Sequence, residues 1–149
     1  MANTYSQLLF HIVFSTKNRR PVLHADRRDE LFKYIWGIHK NHQCHLYRIG
    51  GVEDHLHILT HLPTTLCIAD FVREVKASSS RWISEQQIFA QFDGWQDGYA
   101  AFTASWREKD KLIDYIKNQE EHHRREAPME ELRRLLKEAG IEFDEKYLS

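Results

Sequence analysis

Two short stretches carry residue types that could do chemistry together: Asp54-His55-Leu56-His57-Ile58-Leu59 and Asp114-Tyr115-Ile116-Lys117-Asn118-Gln119. In an extended strand successive side chains point to opposite faces, so His55 and His57 leave the same side while Leu56 and Ile58 enter a core. On a helix, residues four apart are offset by only about 40°, so Tyr115 and Gln119 also share a face. Where those two faces meet, they can hold a divalent metal with a phenol beside it. Other histidines compete for these places. His61 continues the strand face, although a strand spreads such a series so far that only adjacent members chelate one ion. His122 lies on the helical face, with His123 close by, and either could replace Gln119.

The elements that must position these groups follow from periodicity and punctuation. Tyr5 to Thr16 alternates as a strand, with His11 on the face opposite Phe10, Ile12 and Phe14. Asp26 to about Gln43 has helical spacing, with Asp26 as cap. His45 to Ile49 reads as a second strand, Gly50-Gly51 as a turn, and Val52 to Leu62 as a third strand ended by Pro63. Thr64 or Thr65 can cap a second helix whose apolar stripe runs from Ile68 to Trp82. Asp97-Gly98 predicts a hairpin between Phe92–Gln96 and Tyr99–Ser105. Ser105-x-x-Glu108 is a capping box that announces a third helix reaching about Arg125. After Pro128, a last helix spans Glu130 to Ala139 and stops at Gly140.

This order is the β-α-β-β-α-β of an α+β, ferredoxin-like (RRM-like) sandwich with a central antiparallel sheet, followed by a tyrosine-bearing helix. Its first and third strands are central neighbours, which sets His11 beside His55 and His57 on the face away from the first two helices. The 149 residues suit one domain, residues 1–149. With no signal-peptide pattern and no apolar run able to span a bilayer, a cytoplasmic protein is expected. Cys44 and Cys67 form no C-x-x-C pair, so they read as reduced thiols.

A net charge of −1 excludes coating nucleic acid through a broad positive field, so any such contact must come from local clusters. The candidates are Lys17-Asn18-Arg19-Arg20, Arg27-Arg28, Lys76-Ala77-Ser78-Ser79-Ser80-Arg81 and Arg124-Arg125.

Four stretches in this order resemble one family. They are Gly50-Gly51-Val52-Glu53-Asp54-His55-Leu56-His57, Lys76-Ala77-Ser78-Ser79-Ser80-Arg81-Trp82, Trp95-Gln96-Asp97-Gly98-Tyr99-Ala100-Ala101-Phe102 and Tyr115-Ile116-Lys117-Asn118-Gln119-Glu120-Glu121-His122-His123. Together they look like the HUH single-tyrosine transposases of the smallest bacterial insertion sequences, and the likeness covers nearly the whole chain. Ala77 stands where such proteins often have glycine.

The resemblance implies a transposase that nicks and joins single-stranded DNA at hairpin-containing element ends. His55 and His57 would be the HUH ligands, Gln119 the third ligand, and Tyr115 the nucleophile. His11 and His122 would be supporting or basic groups, and Lys17, Arg19, Arg20, Lys76, Ser78, Ser79, Ser80 and Arg81 DNA contacts. It also implies a homodimer in which the tyrosine helix of one subunit completes the other's site.

The chemistry agrees with those roles. A Mg2+ or Mn2+ ion would neutralise the phosphodiester's non-bridging oxygens. Two imidazoles and an amide suit such an ion only when phosphate and water complete its shell, so weak metal affinity without DNA is expected. Tyrosine titrates near 10, leaving roughly one phenol in a thousand ionised at neutral pH, so activation by metal and a base such as His122 is needed. The product would be a 5′-phosphotyrosine and a free 3′-hydroxyl. Three rivals remain: a domesticated relative that processes genomic repeat hairpins, a non-catalytic RNA-binding module on the same sheet, and a zinc hydrolase using His55, His57 and His122 or His123.

Overall fold

β1 (Leu9–Ser15) lies at the centre of a four-stranded antiparallel sheet in the order β2-β3-β1-β4, with β2 at His45–Gly51, β3 at His55–His61 and β4 at Ala100–Ala104. The computed structural model describes residues 3–147, the side chain of Tyr147 excepted. β1 pairs with β3 in the register Val13↔His57 and Ser15↔His55, and with β4 in the register Val13↔Ala100. This is the strand order of a ferredoxin-like sheet.

One face of the sheet is the main core. Ile12, Phe14, Leu56 and Ile58 meet Leu31, Ile35 and Ile38 of α1 (Ala25–Asn41) and Phe71, Val72, Val75 and Ile83 of α2 (Ile68–Gln86), all of them buried. The other face carries His11, His55, His57 and Leu59. It is covered by α3 (Lys109–Lys117), α4 (Gln119–His122) and α5 (Pro128–Glu138). The strand alternation therefore separates an apolar layer from a layer of polar chemistry.

Local signals were overruled where a distant element supplied a partner. β1 starts at Leu9, and Tyr5 is exposed. Gly50-Gly51 is not a turn but the end of β2, paired with His57 and Leu56, and the bend falls at Val52–Asp54. A Cβ on Gly50 would sit 2.3 Å from the Ile116 carbonyl oxygen, so glycine is there to let α3 press against the sheet. α2 begins after Cys67, not at the threonines, and runs past Trp82 to a left-handed Gln87.

The expected hairpin at Asp97-Gly98 does not form. Both of its arms pair with β1 instead: Trp95 bridges Thr16, the Gln96 amide donates to the Ser15 carbonyl at 2.8 Å, and β4 continues along the same edge. An open central-strand edge outcompetes a two-residue turn, because it satisfies both runs at once.

The capping box is real. Glu108 N–H donates to Ser105 Oγ at 3.3 Å and Ser105 N–H to Glu108 Oε1 at 2.9 Å. It opens a 3-10 turn, Trp106–Glu108, that leads into α3. The single long helix expected to Arg125 breaks at Asn118 (φ −100°, ψ 27°), so Tyr115 and Gln119 stand on separate segments. The last helix begins at Pro128 itself, two residues before the expected Glu130, because at the first helical position proline's missing N–H costs nothing. Gly140, at φ 71°, ends α5: Gly140 N–H donates to the Lys137 carbonyl and Ile141 N–H to the Leu136 carbonyl, a Schellman pair.

Candidate active site

His55 and His57 project from β3 onto the face covered by α3 to α5, and each has its Nδ1 engaged behind it. His55 Nδ1 faces Asp54 Oδ1 at 2.7 Å, and His57 Nδ1 faces His11 Nε2 at 2.8 Å. That leaves both Nε2 atoms aimed forward, the arrangement that orients imidazoles toward a metal. His11 thus lies behind His57. His61 instead lies far along the strand, where its Nδ1 accepts from the Leu8 amide at 3.3 Å.

The forward nitrogens meet a residue that sequence reasoning missed. Glu131 of α5 is buried, with Oε1 3.2 Å from His55 Nε2, 3.0 Å from His57 Nε2 and 3.2 Å from His123 Nε2. Its Oε2 accepts from the Tyr115 hydroxyl and, at 3.2 Å, from Gln119 Nε2. Gln119 Oε1 in turn lies 3.0 Å from His123 Nε2. Tyr115, Gln119 and the histidine pair are therefore brought together within one chain, with the rings of His57 and Tyr115 5.7 Å apart. Within this one chain the tyrosine helix reaches the histidines.

Arg134, one turn beyond Glu131 on α5, was also missed. Its Nη2 donates to the Tyr115 hydroxyl oxygen at 3.0 Å while its Nε holds Glu126 at 3.1 Å. His122 sits beside Tyr115, ring to ring at 5.1 Å, but its Nε2 bonds Glu126 Oε1 at 2.6 Å, not the phenol. The only sequence signal for α5's role was its spacing, since Glu131 and Arg134 are three apart and share a helical face.

Burial and charge act oppositely on the cluster. Burial pulls His57 down to about 4, against the attraction of Glu131, and pulls His11 down to about 3 with help from His57. His55 is also penalised by burial, yet Asp54 and Glu131 outweigh this and raise it to about 9. Burial works to raise the Glu131 carboxyl, but hydrogen bonds from His123, His55 and His57 hold it well below the usual carboxylate range. Tyr115 is pushed up by burial and by Glu131, with Arg134 opposing. One imidazolium and one carboxylate thus sit at the centre, and the phenol stays protonated.

Ligand atoms of His55, His57, His123 and Glu131 all lie within 4.8 Å of one another, so this His/Glu group fits a divalent cation. A cleft of about 600 Å3 opens beside it, lined by Ser15, Arg19, His55, Glu131, Leu132 and Leu135 among others.

The expected DNA contacts are dispersed. Arg19 lines the cleft beside the cluster, Lys17 begins the 3-10 turn after β1, and Arg20 pairs with Asp93 at 3.5 Å. Lys76 to Arg81 lie on α2, across the sheet from the histidines. There Lys76 Nζ donates to the Gln96 and Gly98 carbonyls, and Ser80 joins it along a second groove. Ser78 meets the Tyr34 hydroxyl, and Arg81 is exposed. Ser79 departs from expectation: it is fully buried, donates to the Val75 carbonyl at 2.6 Å and accepts from Trp95 Nε1 at 3.0 Å. Arg28, another basic candidate, is buried too, tying the Gly51 carbonyl to Glu120.

Among the described residues no helix is long and apolar enough to cross a membrane. Residues 4–119 match the family model described as transposase IS200 like. The chain is 26% identical over 124 residues to the transposase for insertion sequence element IS200 of Salmonella typhimurium, covering 80% of this chain and 81% of that one. It is 25% identical over 118 residues to the ISDra2 transposase TnpA of Deinococcus radiodurans, covering 76% and 84%. A crystal structure described as a transposase from Deinococcus radiodurans R1 superposes with a TM-score of 0.62 at 25% identity, covering 80% of this chain and 95% of that one. A REP-associated tyrosine transposase bound to a REP hairpin shares the fold, with a TM-score of 0.58 at 16% identity over 79% and 70% of the two chains.

Proposed function

Because the chain belongs to the IS200-like transposase family, and is a DNA transposase by that membership, we propose that Tyr115 is its nucleophile and that His55, His57 and Gln119 hold an assisting divalent ion, Mg2+ or Mn2+. The observation that supports this is the convergence of the Tyr115 hydroxyl, the Gln119 amide and both imidazole Nε2 atoms on the single Glu131 carboxylate.

Tyr115 Oη attacks the scissile phosphorus, the bond from phosphorus to the 3′ oxygen breaks, that oxygen takes a proton from solvent to become the free 3′-hydroxyl, and the DNA's 5′ end stays on the protein as a phosphotyrosine. The phenolic proton passes to Glu131 Oε2, which already accepts from it. His122 Nε2 lies 3.5 Å from that oxygen but is turned to the Glu126 carboxylate at 2.6 Å, which only accepts, so it stands beside the proton's path without receiving it. Arg134 offsets the negative charge that grows on the phenol oxygen. A bound cation would supply charge neutralisation at the phosphate. Bond energy is conserved in the ester, so rejoining needs no nucleotide.

The substrate class is single-stranded DNA carrying a hairpin, in keeping with the hairpin bound by the fold neighbour. The cleft beside His55 and Arg19 is the place for the extended strand. Since one chain carries the whole constellation, each tyrosine acts on its own chain's histidines, and a homodimer would pair two complete sites.

The test mixes the protein, Mn2+ and labelled hairpin oligonucleotides and looks for a covalent complex. Mass spectrometry is expected to place the nucleotide on Tyr115, and Tyr115→Phe to yield none. An adduct on another residue, or one that survives Tyr115→Phe, overturns the assignment. Inactive heterodimers of Tyr115→Phe with His57→Ala chains are expected to regain no activity, whereas recovery would mean that tyrosines are exchanged between subunits.

A further inference from the structure

The hydrogen-bond partners around Glu131 turn three imidazole nitrogens onto one carboxylate oxygen. His55 Nδ1 faces the Asp54 carboxylate and His123 Nδ1 faces the Glu126 carbonyl, each at 2.7 Å. Both partners only accept, so both Nδ1 atoms must carry the hydrogen. With Nδ1 so occupied, each ring has only Nε2 left to offer a metal, and both Nε2 atoms lie 3.2 Å from one carboxylate oxygen. His57 Nε2 points at the same oxygen from 3.0 Å, and Gln119 Oε1 lies 3.0 Å from His123 Nε2. One carboxylate oxygen cannot accept three such bonds well. A cation at the point of convergence, displacing any Nε2 proton, meets all three nitrogens and the carboxylate at once.

We propose that His123 and Glu131 are metal ligands alongside His55 and His57, so that one chain holds a first-row divalent cation such as Mn2+ before any DNA arrives, and prefers it to Mg2+. This deepens the function proposed above and rests on its metal-assisted site. The donor chemistry sets the preference: three imidazoles suit first-row transition cations, whereas Mg2+ favours oxygen ligands and keeps its waters. The carboxylate adds the negative charge that two imidazoles and an amide lack. Weak binding without DNA, expected from the smaller ligand set, is thereby replaced by binding to the protein alone. The roles of Asp54 and the Glu126 carbonyl are to hold the ring orientations, as partners behind metal-bound histidines do.

The experiment titrates Mn2+ into the DNA-free protein and follows the electron paramagnetic resonance signal of free Mn2+, with Mg2+ as competitor and Tyr115 adduct formation measured in parallel. One Mn2+ per chain is expected, little displaced by a hundredfold excess of Mg2+. Glu131→Gln and His123→Asn are each expected to weaken it at least tenfold, and His61→Asn to leave it unchanged. Mn2+ binding that is absent without DNA, is equal in Glu131→Gln, or yields to equimolar Mg2+ overturns the proposal. Should Glu131→Gln fail to fold, counting nitrogen couplings in the Mn2+-loaded unsubstituted protein decides: three imidazoles support it, two overturn it. The parallel assay separates the two readings. A Tyr115 adduct in the unsubstituted protein, with Mn2+ affinity unaltered by Glu131→Gln, defeats only this proposal, whereas Glu131-dependent Mn2+ binding with no adduct in the unsubstituted protein defeats only the transposase chemistry assigned to Tyr115.

Discussion

Replacing Gly50 by alanine tests whether the close seating of α3 on β2 sets the reach of Tyr115. The added Cβ would lie 2.3 Å from the Ile116 carbonyl oxygen and 3.0 Å from Ile116 Cγ2, where ordinary contact begins at 3.4 Å. The obstacle is backbone, which no rotamer can move aside, so α3 must lift by about 1 Å at the residue after Tyr115. Overpacking of this kind costs about 1–3 kcal/mol of stability. A misplacement of about 1 Å at a reacting group can lower the rate by about a hundredfold. Urea unfolding gives the first quantity, and the rate of covalent complex formation with a hairpin oligonucleotide gives the second. Gly37→Ala is the control: it lies in α1 with nothing within 4 Å of its added Cβ, and should gain about 0.5–1 kcal/mol with no change in rate. A Gly50→Ala protein that matches the original in both stability and rate refutes the reasoning.

Three further outcomes are expected. His39 is buried in α1, its Nδ1 against the Ile35 carbonyl at 2.9 Å and its Nε2 without a partner, and burial lowers it to about 4. Its unfolded form binds a proton between about 6.5 and 4 while the folded form does not, so stability is full above 6.5 and falls with pH through that window, by about 3 kcal/mol. Denaturant midpoints of His39→Leu should show a shallower fall; an unchanged slope means His39 is not the titrating group. Arg134→Ala should slow adduct formation by about tenfold to a hundredfold, by removing the positive charge beside the phenol oxygen. An unaltered rate at fixed pH removes Arg134 from the reaction. Ser79→Ala should cost about 1 kcal/mol through the lost Trp95 hydrogen bond, while oligonucleotide affinity in a filter-binding assay stays the same. A loss of affinity without loss of stability would return Ser79 to the DNA surface.

The parts legible in the sequence were those coded by short-range periodicity. Strand alternation put His55 and His57 on one side and Leu56 and Ile58 on the other, and the Ser105-Glu108 box located the start of the tyrosine-bearing segment. The strand order followed from the sequence of elements. What failed depended on distant partners. Gly50-Gly51 has the composition of a turn, and only an approaching helix more than sixty residues away explains it as strand. Asp97-Gly98 has the composition of a hairpin, yet the edge of β1 took both flanking runs. Glu131 and Arg134 were not singled out, because nothing local reveals that α5 lays that face over the histidines. His123 could be named only as an alternative ligand, since the break at Asn118 that turns it inward has no strong sequence mark.

His11 sits on β1 and the ring it steadies sits on β3, diagonal neighbours in a pairing where His11 opposes Leu59 and Val13 opposes His57. A slip of one residue between these central strands would turn His11 into the apolar layer and leave the His57 ring unsupported. With the ion site proposed above, uptake would proofread strand alignment: a misregistered chain, however compact, would fail to load, and metal content would count the correctly paired molecules in a preparation.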